Sequence, residues 1–346
     1  MVWTMIDQRS VSASTLSEQP SKSKRVVRKM LACASMAGVV GSHSWSPFEP
    51  WFSPFLPHAT ILVLLVLIGH LIGRHWRSSA VLAVAGFVGV WSWTNALQFQ
   101  KSTALHPADA PVISAGFANL GISKAPPLGS SDALQDWARE KPFDLFGVVE
   151  CSTSQMEHIR SWQEWHTVHA EPEDNSADGI ALFSMHPIRS VKITRTPNAR
   201  LDHLSAVVDA PGGSFQVELT HPCPPVPGWL YQRQAELNQL STASTSSNWP
   251  VLVLGDLNET PFGAGWRELL KTSGLSPIGP LSTPTWPSQL KGIPVPQWLG
   301  IRIDHMLVGP EWETGPLEVG PKVTSDHRPI RATVWLQGSN ESEIPL

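Results

Sequence analysis

Residues 251–262 read VLVLGDLNETPF. Val251 to Leu254 are apolar without alternation and run into Gly255, Asp256, Leu257 and Asn258. A short continuous apolar run bounded by turn residues reads as a strand buried on both faces. Such a strand ends by presenting a carboxylate and an amide two positions apart. Its meaning depends on what else in the chain can stand beside them.

Other strand-like segments end in the same way. VISAGFAN ends at Asn119, DLFGVVE at Glu150 and FQVELTH at His221. Asp304 lies inside RIDHMLV, and SDHRP places Asp326 and His327 just before a closing strand. Taken singly, each has a structural explanation. Asn119 before Gly121 reads as a turn residue, Asp256 and Asn258 as caps of the helix after Pro261, and Asp326 as a turn cap. Glu150 reads as a carboxylate at a helix start and His221 before Pro222 as a loop histidine. Together they favour one pocket, because side chains at the same end of a sheet converge.

The residue types suit phosphate ester cleavage, which is mostly positioning and charge stabilisation. A hard divalent cation takes carboxylate and amide oxygens, which Glu150, Asn119 and Asp326 supply. A further carboxylate orients the attacking water, a histidine donates to a phosphoryl oxygen, and Asp304 would hold such a histidine in one tautomer.

The segments between these residues alternate. SDALQDWAREK, TSQMEHIRSWQEW, LYQRQAELNQLS and FGAGWRELLKTSG are helix-like, with Ser131 or Asp132 as the cap of the first. GIALFSM, HLSAVVDA, RIDHMLVG and PIRATVWL are strand-like. The mixture predicts α/β layers with mixed sheets.

The N-terminal third differs. Of the 346 residues only 16% are charged, against ~25% in ordinary soluble domains. Residues 1–99 carry a net charge of +5 and the remainder −9. Three apolar stretches, MLACASMAGVVG, ATILVLLVLIGHLIG and SSAVLAVAGFVGVWSWTNALQF, follow a polar tail over 1–29. A spanning helix needs ~20 apolar residues, so the second and third qualify with their flanks and the first is marginal. Lys22, Lys24, Arg25, Arg28 and Lys29 precede the first stretch, and Arg74 and Arg77 separate the second from the third. By the positive-inside rule these charges are cytoplasmic. With three spans the C-terminal domain lies outside the membrane, and with two it lies inside. The expected organisation is a cytoplasmic tail over 1–29, a transmembrane region over 30–99, a linker over 100–111, a catalytic domain over 112–337 and a tail over 338–346. A signal peptide fits poorly, because cleavage after the first stretch leaves two more spans. Cys33 reads as a packing residue, and Cys151 and Cys223 could pair in an oxidising compartment.

The ordered set FAN, VVE, THP, GDLN, RIDH and SDHRP resembles the endonuclease/exonuclease/phosphatase superfamily, over residues 110–336 or so. That group contains secreted nucleases, abasic-site nucleases, inositol-phosphate phosphatases and sphingomyelinases. With the apolar stretches, the chain looks like its membrane-anchored bacterial branch. The resemblance implies a two-sheet, four-layer α/β sandwich preceded by N-terminal transmembrane helices. It implies metal binding (Mg²⁺ or Mn²⁺) by Glu150, Asn119 and Asp326, and water activation by Asp256. It also implies phosphate contacts from Asn258 and His221 and a carboxylate–histidine pair of Asp304 and His327. The sequence departs from the family pattern in three places. Val149 stands where many relatives have glutamine, Met185 and His186 stand where Ser-Arg is common, and the only tyrosine is Tyr231.

The function expected is hydrolysis of a phosphate ester, with a lipid-linked substrate at the outer membrane face, the bilayer as partner and no protein partner. A membrane-anchored Mg²⁺-dependent nuclease and a non-enzymatic binding protein on the same fold are the alternatives. The acidic C-terminal part lacks the basic footprint of a nucleic-acid binder.

Overall fold

The computed structural model describes residues 22–42, 48–73, 76–97, 103–104, 110–121, 128–170, 179–195 and 203–337. The first 21 residues, Arg74, most of the expected linker and the C-terminal tail from 338 lie outside the described residues.

Four helices come first: α1 (Lys22–Gly41), α2 (Glu49–Phe52), α3 (Leu56–Ile72) and α4 (Trp76–Leu97). Glu49–Ile72 and Ser78–Ala96 are long and apolar enough to cross a membrane, by length and composition. The apolar part of α1, Lys29–Gly41, is shorter than a span. Small residues let these helices touch. A Cβ on Gly89 would meet Thr60 Oγ1 at 2.3 Å, and one on Gly38 would meet the Ala59 Cβ at 2.8 Å.

The remaining chain forms two large mixed sheets. The first has the order β13–β15–β1–β2–β4–β3, with β14 also beside β15. Its strands are β1 (Ile113–Asn119), β2 (Leu145–Val149), β3 (His166–Ala170), β4 (Ile180–Ser184), β13 (Trp312–Thr314), β14 (Glu318–Val319) and β15 (Ile330–Leu336). The second has the order β5–β6–β7–β8–β12–β9. Its strands are β5 (Ile188–Thr194), β6 (His203–Ala210), β7 (Gly213–Thr220), β8 (Val251–Asp256), β9 (Ser276–Pro277) and β12 (Asp304–Val308). A small hairpin of β10 (Gln289–Leu290) and β11 (Ile293–Pro294) stands apart.

Side-chain alternation builds the layers. Leu252 and Leu254 of β8 face the core between the sheets, beside Phe117, Leu145, Leu182 and Leu219. Val251 and Val253 face the opposite way, towards α7 (Leu230–Thr245) and α8 (Ala264–Ser273). On the other sheet Phe146 and Val148 face α5 (Leu128–Glu140) and α6 (Thr153–Arg160). Helices, sheet, sheet and helices therefore stack as four layers, and the unbroken apolar run of β8 is buried on both faces.

Each sheet holds one parallel pair joined through a helix: β1–α5–β2 in the first and β7–α7–β8 in the second. The carboxyl ends of all four strands reach the same edge of the sandwich. Ligands in α/β sheets bind at such an edge.

Three local expectations are corrected. Helix α5 begins at Leu128, so Ser131 and Asp132 lie inside it rather than at its cap. The expected helix over 153–165 stops at Arg160, and His166–Ala170 becomes an edge strand. A turn follows α6 there, and the Trp165 indole donates to the Ile159 carbonyl at 3.1 Å. Cys151 and Cys223 do not pair and are free, buried thiols.

The sheets approach closely at Gly147, where a Cβ would lie 2.7 Å from Leu219 Cδ1 and 3.1 Å from Leu254 Cδ1. Gly147→Ala should lower stability by about 1–3 kcal/mol through overpacking, read from denaturant unfolding of the full chain.

Candidate active site

Strand ends bring the polar residues into one cavity of about 530 Å³. Asn119 ends β1, Glu150 follows β2, His221 follows β7 and Asp256 ends β8. Asp304 opens β12 directly opposite Asp256 in the antiparallel register. Asp326 and His327 precede β15, whose Ile330 pairs with Phe117 of β1. Of the eight residues singled out, Glu150, His221, Asp256, Asn258, Asp326 and His327 line the cavity itself. Asn119 and Asp304 reach it through a neighbour.

Asp256 is the hub. It is 1% exposed, and its Oδ2 accepts from Asn119 Nδ2 at 3.0 Å while its Oδ1 accepts from the Asn258 amide at 2.9 Å. The same Oδ2 lies 3.3 Å from His221 Nε2 and 3.7 Å from His327 Nε2. Burial works against its charge, but the two imidazoles and the Asn258 amide overcome that and hold its pKa at about 2. Asp256 is therefore an anion and a hydrogen-bond acceptor.

His327 Nδ1 donates to both oxygens of Asp304 at 3.0 Å. Burial disfavours its charged form, yet Asp304, Asp256 and Asp326 push its pKa up to about 10. Burial and the nearby Asp256 charge raise Asp304 as well, while His327 pulls it down. The proton of this pair sits on the imidazole, which lies between two carboxylates. Burial also disfavours charge on His221, and Asp256 and Glu150 more than offset it, so its pKa is raised. Two imidazoles whose charged forms are favoured by the neighbouring carboxylates thus flank one anion.

Glu150 and Asn258 hold left-handed backbone, with φ of 50° and 48°. Asparagine tolerates this region; glutamate does so at a cost of about 1–3 kcal/mol. Asn258 Nδ2 donates to the Pro222 carbonyl at 3.0 Å and lies 3.1 Å from His221 Nε2. Glu150 Oε1 lies 3.6 Å from the same nitrogen.

Several groups suit a divalent ion. Asp256, Asp304 and His327 can each offer one atom within 4.8 Å of the others. Glu150 and Asp326 add carboxylates on the cavity wall, and His221 Nδ1 is buried with no hydrogen-bond partner in the protein. A set dominated by carboxylate oxygens fits a hard cation. Asn119 is already tied into the protein, with one lone pair of its Oδ1 left for the cation it was expected to hold. Its nitrogen holds Asp256 and its Oδ1 already accepts the Gly121 amide at 2.9 Å.

Other cavity residues carry no motif. The Trp286 indole donates to Asp326 Oδ2 at 2.8 Å, and Trp229 and Val226 form apolar wall. Pro50, Trp51, Pro54 and Phe55, from α2 and its junction with α3, complete that wall. Tyr231 is 87% exposed and, like His186, does not line the cavity. The aromatic hydrogen-bonded at this site is Trp286. No motif in the sequence marked Trp286 for such a role.

A sandwich that gathers carboxylates and imidazoles at one strand edge defines a site for hydrolysing phosphate esters. Residues 116–327 match the model of the Endonuclease/Exonuclease/phosphatase family, and the chain belongs to that family. Its members are hydrolases of this kind. The fold is shared with D. rerio TDP2 complexed with a single-stranded DNA product (TM-score 0.55, 13% identity, covering 64% of this chain and 98% of that one). It is shared too with the endonuclease/exonuclease/phosphatase of Bacteroides vulgatus (TM-score 0.54, 16% identity, covering 66% and 100%). No curated protein matches the sequence.

Glu150→Ala should abolish the rise in melting temperature that Mg²⁺ or Mn²⁺ produces, while the metal-free protein stays within about 1 kcal/mol of wild type. Thermal melts with and without metal check this. Asp304→Ala and His327→Ala should each reduce kcat/KM, and the double variant should lose little more than either single one. A double-mutant cycle on a soluble phosphodiester reads that coupling.

Proposed function

We propose that the chain is a membrane-anchored, divalent-metal-dependent phosphoesterase acting on a lipid phosphate, lipid pyrophosphate or phosphodiester headgroup at the outer membrane face. The observation that carries this reading is the apolar side of the catalytic cavity. Part of that side comes from residues 50–55, immediately before α3. A site for a purely soluble phosphate ester has no need of a wall supplied by the apolar N-terminal helices.

The topology is compatible. The start of α3 and the end of α4 lie at the same end of the helical hairpin, so residues 49–55 and the chain after α4 emerge on one side of a bilayer. The basic residues at 74–77 favour that side being the outer one, and those at 22–29 agree where the whole of α1, 20 residues with its basic start, crosses as well. Holding the site at the surface raises the effective concentration of lipid substrates.

The proposed roles follow from the electrostatics. The ionised Asp256 accepts a hydrogen bond from the attacking water and aims it. With a pKa of about 2 it orients the water more than it takes the proton. His327, fixed by Asp304, and His221 donate to phosphoryl oxygens as negative charge grows on them. The Asn258 amide positions the ester, and Asn119 positions Asp256. Glu150 and Asp326 would hold the cation, which when bound neutralises phosphate charge.

D. rerio TDP2 holds single-stranded DNA, which keeps a nuclease as the second reading. Against it stands the −9 charge of residues 100–346. The test is a substrate panel on the full chain in detergent micelles: lipid phosphates, bis(p-nitrophenyl) phosphate and nicked-plasmid formation, each in Mg²⁺ and in chelator. Release of phosphate from lipids without plasmid nicking is expected, and the reverse pattern would establish the nuclease. Asp256→Ala should reduce kcat/KM by roughly a thousandfold. Retention of full activity would remove Asp256 from the chemistry.

A further inference from the structure

A second cavity, of about 500 Å³, abuts the catalytic one. The two share Pro54, Thr260 and Ile301 as lining. The second cavity leads from those residues along the outer surface of the helical hairpin, past Ile61 of α3 and Trp93 of α4. Its opposite wall is Phe262, Leu281 and Trp298 from the catalytic part. We propose that this cavity takes the hydrocarbon tail of the substrate, which passes from the membrane beside α3 and α4 to the phosphorus at Asp256. The proposal rests on the lipid reading above and names the binding surface that reading lacks.

Three observations select a tail as the occupant. The first is continuity. The shared lining residues stand between a phosphate-cleaving site and helices apolar enough to lie in a bilayer. An occupant of both cavities needs a phosphate at one end and an apolar chain at the other.

The second is the state of the polar groups in the second cavity. Arg302 donates to the carbonyls of Ile278 and Pro280 at 2.8 Å each. His58 Nε2 lies 3.1 Å from the Trp298 carbonyl, which ties α3 to the loop opposite. With Arg302 and His58 Nε2 engaged by the protein, the wall they share with Ile61, Trp93 and Leu281 favours apolar contact, and His58 Nδ1 is a buried ring nitrogen left without a partner in the protein. At the junction, the Thr260 hydroxyl is buried and has no hydrogen-bond partner in the protein. A buried hydroxyl without a partner is costly, and the ester oxygen that links phosphate to chain would satisfy it.

The third is the rim. Leu290, Ile293, Trp298 and Leu299 are exposed, at 54%, 71%, 74% and 42%. Trp298 lines the second cavity, with its carbonyl 3.1 Å from His58 near the start of α3, and Leu299 follows it in the chain, whereas Leu290 and Ile293 belong to the β10–β11 hairpin. Scattered exposed apolar residues are ordinary, but a tryptophan-bearing group beside the end of a candidate span suits the membrane interface. It places the mouth of the second cavity at the level where a lipid tail leaves the bilayer.

The test compares phosphodiesters that share one p-nitrophenyl leaving group and differ in the second ester, methyl against dodecyl. It uses the full chain in micelles. Wild type should show a KM for the dodecyl ester at least about tenfold below that for the methyl ester. Ile61→Trp narrows the second cavity from a half-exposed helix position, and it should erase most of that difference by raising KM for the dodecyl ester, with kcat little altered. Thr260→Val should raise KM for both esters, because both carry the ester oxygen. A dodecyl phosphonate bearing a diazirine at the chain end should label peptides within 281–302 in wild type and label them less in Ile61→Trp. Equal KM for the two esters, or labelling unaffected by Ile61→Trp, would overturn the tail route. That outcome differs from failure of the phosphoesterase reading, in which neither ester is cleaved in a metal-dependent way.

Discussion

The charge on Asp256 is the constraint on which this structure turns. A carboxylate 1% exposed at the end of a fully buried strand is untenable alone. It is stabilised by Asn119, His221, His327 and the Asn258 amide, which come from β1, the loop after β7, the segment before β15 and the turn after β8. These partners belong to both sheets. The charge therefore requires that the sandwich close with one relative placement of its sheets. Gly147 is where that closure leaves no room for a side chain.

The pairing is hierarchical. Asp304, entirely buried opposite Asp256, has its carboxylate held by His327, while the Thr285 hydroxyl and the Arg302 guanidinium bond its backbone. Without His327 two carboxylates would face each other across paired strands. With it, one imidazolium answers both. The same reasoning explains why the β8–β12 register is fixed: a slip by one residue would turn Asp304 away from His327 and pull His305 from its buried place against Trp266.

Much of this was legible in the sequence because strand ends mark themselves. The run VLVLGD reads as a two-face buried strand, and FAN, VVE and THP repeat its logic of apolar residues ending on a polar one. The convergence of the polar residues followed from that, and the two-sheet, four-layer order from the family resemblance. What stayed hidden lacked a periodic signal. β3 sits where helix-forming residues run into His166, and its strand state comes from pairing with β4 at the sheet edge, a tertiary effect. Trp286 reaches Asp326 from a loop with no motif, 40 positions away. Residues 50–55 were legible only as a connection between apolar stretches. Their place on the cavity wall depends on how the helices dock, which no local pattern encodes.

That docking has an identifiable anchor. Glu49 is buried, and its Oε1 accepts the backbone amide of Ala264, the first residue of α8, at 2.6 Å. A carboxylate at a helix N-terminus is favoured by the unpaired amides and the helix dipole. The helix it meets is the one reached directly from Asp256 through the turn 257–263. That turn is itself held by the ion pair between Arg233 and Glu259, against which Gly263 and Gly265 pack too closely for any side chain. The N-terminal helices thus grip the same short segment that carries the catalytic carboxylate. An anchor joined only by a flexible connection would let the catalytic part tumble at the membrane surface. One joined at Ala264 fixes the distance and tilt of the cavity relative to α3. On the membrane-anchored reading proposed above, the anchor would do more than retain the enzyme: it would set which part of a membrane-borne molecule reaches Asp256.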